Sequence, residues 1–173
     1  LLFVFLMTLT VSEAQDWPNL NRFQEANSQV NPPKNGEDRV VFMGNSITEG
    51  WINTRPDFFK KNPYINRGIS GQTTPQMLIR FRQDVIDLQP KVVVILAGTN
   101  DIAGNTGPST LKMIEDNLVS MAQLALANDI KVILSSILPV YDYPWKPGLE
   151  PASKIVEVNE FLEKFAKKNK GVY

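Results

Sequence analysis

The sequence contains neither histidine nor cysteine. Without cysteine there is no disulfide, no thiol nucleophile and no thiolate-bound metal, although that absence does not fix the compartment. Without histidine, a zinc site would be limited to carboxylates, a donor set that zinc seldom takes alone. A serine nucleophile would likewise find no imidazole to accept its proton. Net charge is also missing: 18 Lys and Arg balance 18 Asp and Glu, so the basic surface expected of a nucleic-acid partner is not in evidence. There is no apolar run of about 20 residues that would span a bilayer. Internal repeats, low-complexity tracts, a Walker loop and a G-x-S-x-G elbow are absent too. So is a recognisable acidic pair for glycoside cleavage. No metal or cofactor is expected.

What is present is ordinary for a globular protein. Apolar residues make up 43% and charged residues 21% of 173 residues, which is enough for one domain with a substantial core. The first residues stand apart. Leu1 to Leu9 is almost wholly apolar, and Ser12-Glu13-Ala14 follows as a small-x-small site. Residues 1–14 therefore read as part of a secretory signal, with Gln15 as the first mature residue and export as the expected fate. No stable membrane insertion is expected once that segment is cleaved. Residues 15–38 read as a polar lead-in, broken by Asn31-Pro32-Pro33 and Gly36, with one short helix around Asn21 to Asn27. Residues 39–173 read as the functional domain.

Within that domain, short apolar runs alternate with amphipathic stretches. Val40 to Met43, Tyr64 to Arg67, Val92 to Leu96 and Ile130 to Leu134 read as strands. Val92 to Leu96 is continuously apolar, as a parallel strand buried on both faces should be. Helices are expected from Ile47 towards Lys61 with a break at Pro56, and with Phe58 and Phe59 inward. A second is expected from an N-cap at Thr74, with Pro75 at the first helical position, to Leu88. Its apolar stripe is Met77, Leu78, Phe81, Val85 and Leu88, with the charged residues opposite. Further helices are expected over Pro108 to Asn128 and Ala152 to Asn169. Gly171-Val172-Tyr173 reads as the start of a fifth strand. The alternation predicts an α/β fold, a parallel sheet between two helical layers in the flavodoxin-like order 2-1-3-4-5.

In that order the loops after the first three strands meet at one edge of the sheet. They carry Ser46, Gly71 and Asn100. Acyl transfer from a serine needs donors aimed at the developing oxyanion. The N–H groups of Ser46 and Gly71 and the side-chain amide of Asn100 are placed to be those donors. Each residue alone has a plainer reading: Ser46 as a turn residue or helix N-cap, Gly71 as a turn glycine and Asn100-Asp101 as a helix-capping or loop pair. Their order and their common position at strand ends favour the chemical reading. Tyr141, Tyr143 and Trp145 form an aromatic loop that either rims a substrate cleft or packs. Arg67 reads either as a substrate contact or as cover for the sheet edge, the second being favoured. Gly104-Asn105-Thr106-Gly107 is like a flavodoxin phosphate loop but follows the third strand instead of the first.

The motifs bear a family resemblance. Gly44-Asn45-Ser46-Ile47 resembles the first block of the GDSL or SGNH hydrolases, with Asn where Asp is usual. Asn66-Arg67-Gly68-Ile69-Ser70-Gly71-Gln72-Thr73 resembles the second block, and Gly98-Thr99-Asn100-Asp101 the third. The resemblance implies Ser46 as nucleophile and Ser46, Gly71 and Asn100 as the oxyanion hole. It also implies a late Asp-x-x-His block, which has no counterpart among these residues, so the natural chain is expected to continue with a last strand and a His-bearing loop. The wording around Ser46 is most similar to acylhydrolases related to platelet-activating-factor acetylhydrolase subunits and carbohydrate acetylesterases. Lysophospholipase and thioesterase activities also occur on the fold. The implied substrate is a small-molecule, lipid or carbohydrate ester. Two other readings stay open. One is an inactive SGNH-fold protein binding glycans between Ser46 and the Tyr141–Trp145 loop, and the other is a flavodoxin-like binder.

Overall fold

The computed structural model describes residues 15–173, and the expected signal segment lies outside them. A single turn of 3-10 helix at Leu20–Phe23 leads into α1 (Gln24–Ser28), where one short helix was expected. Then come β1 (Val40–Gly44), α2 (Ser46–Thr54), α3 (Pro56–Lys60) and β2 (Tyr64–Gly68). The chain goes on through α4 (Thr74–Asp84), β3 (Val92–Leu96), the one-turn α5 (Thr99–Ile102), α6 (Leu111–Leu126), β4 (Lys131–Leu134) and α7 (Ala152–Lys168). Pro56 separates α2 from α3, as its missing N–H and fixed φ dictate.

The strands form one parallel sheet in the order β2-β1-β3-β4. Val172 makes a parallel bridge to Val132 on the far side of β4. Tyr173 N donates to Val132 O at 2.8 Å and Leu134 N to Tyr173 O at 2.9 Å. Residues 171–173 thus sit where the fifth strand of the expected order would run. No helix among the described residues is long and apolar enough to cross a membrane.

One sheet face is sealed. Val41, Met43, Val93, Ile95 and Val132 lie buried with Met77 and Phe81 of α4, Leu118 and Met121 of α6, and Ile155 and Val158 of α7. Each such side chain contributes roughly 1.5–3 kcal/mol. On the other face, Phe42 packs edge-on against Trp51, Phe58, Phe59 and Tyr64, with ring centroids 5.4–5.8 Å apart. These aromatic residues belong to α2, α3 and β2, so they cover β1 and leave β3 partly open. Val92, Val94 and Leu96 are accordingly only half-buried, which corrects the expectation of a strand covered on both faces.

The boundaries of α4 also differ from expectation. Its N-cap is Thr73, one residue earlier, with Thr73 N donating to Gln76 Oε1 at 3.0 Å. It ends at Asp84, and Ile86–Leu88 is a separate 3-10 turn. The expectation that its charges face solvent is wrong for Arg80 and Asp84. Both are fully buried and paired at 3.0 Å.

The loop between β4 and α7 is held by one carboxylate. Asp142 accepts from the backbone N–H groups of Gly148 (2.6 Å), Tyr143 (2.9 Å), Leu149 (3.2 Å) and Glu150 (3.4 Å). Tyr143 is 1% exposed and belongs to the core, with its hydroxyl accepting from Thr99 Oγ1 at 3.0 Å. It packs over α5 and is withdrawn from any rim, whereas Tyr141 and Trp145 are exposed.

Gly68 at the end of β2 and Gly50 inside α2 give a first prediction. An added Cβ at Gly68 would meet the Glu49 backbone N at 2.2 Å, whereas one at Gly50, inside α2, would enter open space. Gly68→Ala should therefore lower stability by about 1–3 kcal/mol, and Gly50→Ala should raise it by about 0.5–1 kcal/mol. Urea unfolding midpoints in the opposite order would refute this packing. A second prediction concerns Asp142. Its backbone donors, Gly148 foremost, hold its carboxyl below the ordinary 3.8. The loop's stabilisation is therefore present above that value and lost as pH falls through the lowered one. The Gly148 amide resonance should titrate with a midpoint below 3.8 and stop doing so in Asp142→Asn.

Candidate active site

The carboxyl ends of β1, β2 and β3 are level. Gly44 pairs in register with Gly68 on one side and with Leu96 on the other. Ser46, Gly71 and Asn100 follow those three residues within one short turn each, so they share one edge of the sheet, at the point where strand order reverses. Ser46 opens α2 and is exposed. Asn45 is buried and caps that helix, its Oδ1 accepting from Ile47 N at 3.0 Å. Gly44 lets the first turn of α2 sit directly on the strand, since a Cβ there would lie 2.1 Å from Thr48 Oγ1. The serine is thus fixed at a helix N-terminus, where the unpaired N–H groups favour developing negative charge.

Gly71 has φ +76°, a left-handed conformation that glycine adopts without strain. Its carbonyl accepts from Asn105 Nδ2 at 3.2 Å. Asn100 sits in α5 instead of in an open loop, and it is buried. Its Nδ2 donates to Gln72 O at 2.9 Å, which fixes the amide relative to the Gly71 turn. Asp101, for which the sequence left helix capping and a loop position open, caps α4. It accepts from Thr74 N at 3.0 and 3.1 Å and from Thr74 Oγ1 at 2.6 Å. Burial pushes its carboxyl up from the ordinary value, and the Thr74 donors oppose that.

Several supporting residues were not foreseen. Gln72 is buried, accepts from Arg80 Nε at 2.6 Å and donates to Pro18 O at 2.7 Å. Glu49 accepts from Ser70 N at 2.9 Å and from Arg22 at 3.3 Å, bridging α2 to the turn after β2. Arg67 lies on the edge strand as expected, beneath Phe23 at 4.7 Å, and burial lowers its pKa to about 10. The signal for Arg80 was its position three residues after Met77 and next to Phe81, on the flank of the apolar stripe. Only its charge argued for solvent.

Two cavities flank this edge. One, of about 590 Å³, has Ser46 in its wall with Ile47, Trp51, Leu96 and Leu138. The other, of about 400 Å³, has Gly71 in its wall with Trp17, Asn105 and Thr106. Tyr141, Tyr143 and Trp145 line neither of these two cavities.

Known proteins are similar to this chain. A crystal structure of a candidate acylhydrolase from Bacteroides fragilis superposes with a TM-score of 0.88 at 52% identity, covering 91% of this chain and 76% of that one. The uncharacterized lipoprotein YqeF of Bacillus subtilis is 33% identical over 124 residues, covering 62% of this chain and 51% of YqeF. Esterase TesA of Pseudomonas aeruginosa is 31% identical over 106 residues, covering 59% of this chain and 51% of TesA. The chain spans about half the length of these curated relatives. Residues 42–173 match the GDSL-like Lipase/Acylhydrolase family. That span begins inside β1 and takes in every strand end described above, and the chain belongs to this family.

Proposed function

We propose that the protein is a serine ester hydrolase with Ser46 as nucleophile. The observation that supports this is the level ending of β1, β2 and β3, after which Ser46, Gly71 and Asn100 follow at one end of the sheet, with Ser46 exposed. Ser46 Oγ attacks the ester carbonyl carbon as its proton passes to a base. The N–H groups of Ser46 and Gly71 and the Asn100 amide receive the oxyanion. Collapse expels the alcohol, and water then releases the acid from the acyl-enzyme. The base implied by the family resemblance is a histidine oriented by an aspartate, and these 173 residues include no histidine.

In the protein encoded by the natural gene, Ser46→Ala should cost several orders of magnitude in kcat on p-nitrophenyl acetate. Asn100→Ala should cost roughly 10²–10³-fold, as one donor among three. Activity within tenfold of the parent for Ser46→Ala would sink the assignment. Residues 1–173 alone should be inactive, because a serine hydroxyl without a base is a poor nucleophile near neutral pH.

The apolar run at Leu1 to Leu9, together with the likeness to a lipoprotein, supports export of the protein. Amino-terminal sequencing of exported material should read from near Gln15. Retention of Leu1 to Thr10 in soluble protein would count against export.

A further inference from the structure

The segment before β1 is a strap laid across α4. Three glutamines hold it by its carbonyls: Gln76 donates to Trp17 O, Gln72 to Pro18 O and Gln83 to Leu20 O, each at 2.7 Å. Asp16 caps the strap's own turn, accepting from Leu20 N at 2.8 Å and Asn21 N at 3.0 Å. Trp17 is therefore fixed through its backbone while its side chain stays 42% exposed. It forms one wall of the 400 Å³ groove whose opposite wall carries Gly71, Asn105 and Thr106.

The two cavities at this edge differ in chemistry. The one at the nucleophile is mainly apolar, with Ile47, Trp51, Leu96 and Leu138, and it carries the hydroxyls of Thr54, Ser135 and Ser136 beside Ser46 but no amide side chain. The strap groove has one indole, and around it are hydroxyl and amide side chains: Asn19, Ser70, Asn105 and Thr106. Asn19 makes no side-chain capping bond, and Ser70 is exposed. Asn105 has its Nδ2 on Gly71 O and presents its remaining oxygen as an acceptor. No lysine or arginine lines the groove, and its one carboxylate, Asp16, is occupied by backbone donors. A phosphate head group would meet no cation there. A neutral sugar offers an apolar C–H face to an indole and a ring of hydroxyls to amides and hydroxyls, and that matches what the groove presents.

We propose that the groove between Trp17 and the Gly71 turn binds a neutral saccharide, the alcohol half of the ester, with Trp17 as its stacking platform. The catalytic meaning rests on the Ser46 reading; the binding does not. An ester has two halves, and the apolar cavity on the Ser46 side suits the acyl half.

The test is an NMR titration of the chain with xylotriose, cellotriose and maltotriose, following the Trp17 indole and the Asn105 side-chain amide. At least one should bind saturably, in roughly the millimolar range, with shifts at both groups. Trp17→Ala should weaken that binding by about tenfold, and Trp17→Phe should largely restore it. Ser46→Ala should bind as the parent does, which separates the groove from the nucleophile. The proposal is overturned if no saccharide shifts these resonances, if Trp17→Ala binds within twofold of the parent, or if glycerophosphocholine occupies the groove instead.

Discussion

The Arg80 guanidinium, wholly buried, donates to the carbonyls of Gly44 at 3.3 Å and Arg67 at 2.9 Å, to Gln72 Oε1 at 2.6 Å and to Asp84 at 3.0 Å. Those four acceptors are the end of β1, the end of β2, the turn that carries Gly71, and the last turn of α4. Burying a charge costs several kcal/mol unless it is paired and its donors are satisfied. Here the carboxylate supplies the pair and the carbonyls take the remaining donors. Burial lowers the Arg80 pKa and Asp84 opposes the shift; an arginine side chain keeps its charge in proteins. This one group ties the ends of the first two strands to each other.

The site is built by the same borrowing. Asp101, next to Asn100, caps α4, and Asn117 of α6 donates to the same Thr74 hydroxyl at 3.0 Å. Glu49 of α2 reaches the turn after β2, and Asn66 of β2 donates back to Thr48 O at 2.6 Å. Each segment that carries a site residue is fixed by a side chain from another element. The oxyanion site proposed above would work by donors that need no rearrangement when charge develops, and cross-bracing of this kind would supply that rigidity.

The sheet was legible because each strand is a short run of β-branched and aromatic residues between turn formers, and strand order followed from the alternation with helices. Ser46, Gly71 and Asn100 could be placed because a parallel sheet aligns its carboxyl ends. Arg80 and Asp84 were illegible because charge was taken as exposure, and one-dimensional periodicity cannot show that two strand-end carbonyls await a donor. Tyr143 was ambiguous because a loop has no period to assign its faces. The role of the lead-in was hidden for a related reason: its contacts are main-chain carbonyls, which every residue has, received by glutamines far along the chain.

That last feature bears on the order in which the molecule assembles. The glutamine bonds to Pro18, Trp17 and Leu20 close loops of 54, 59 and 63 residues. Such contacts carry a large loop-closure entropy and are slow to form compared with local ones. During synthesis the amino-terminal segment emerges first, yet it has nothing to bind until α4 has been made and folded onto the sheet. A segment made before α4 is thus placed only after it, and the wall that Trp17 contributes comes into being only when the rest of the edge is already standing.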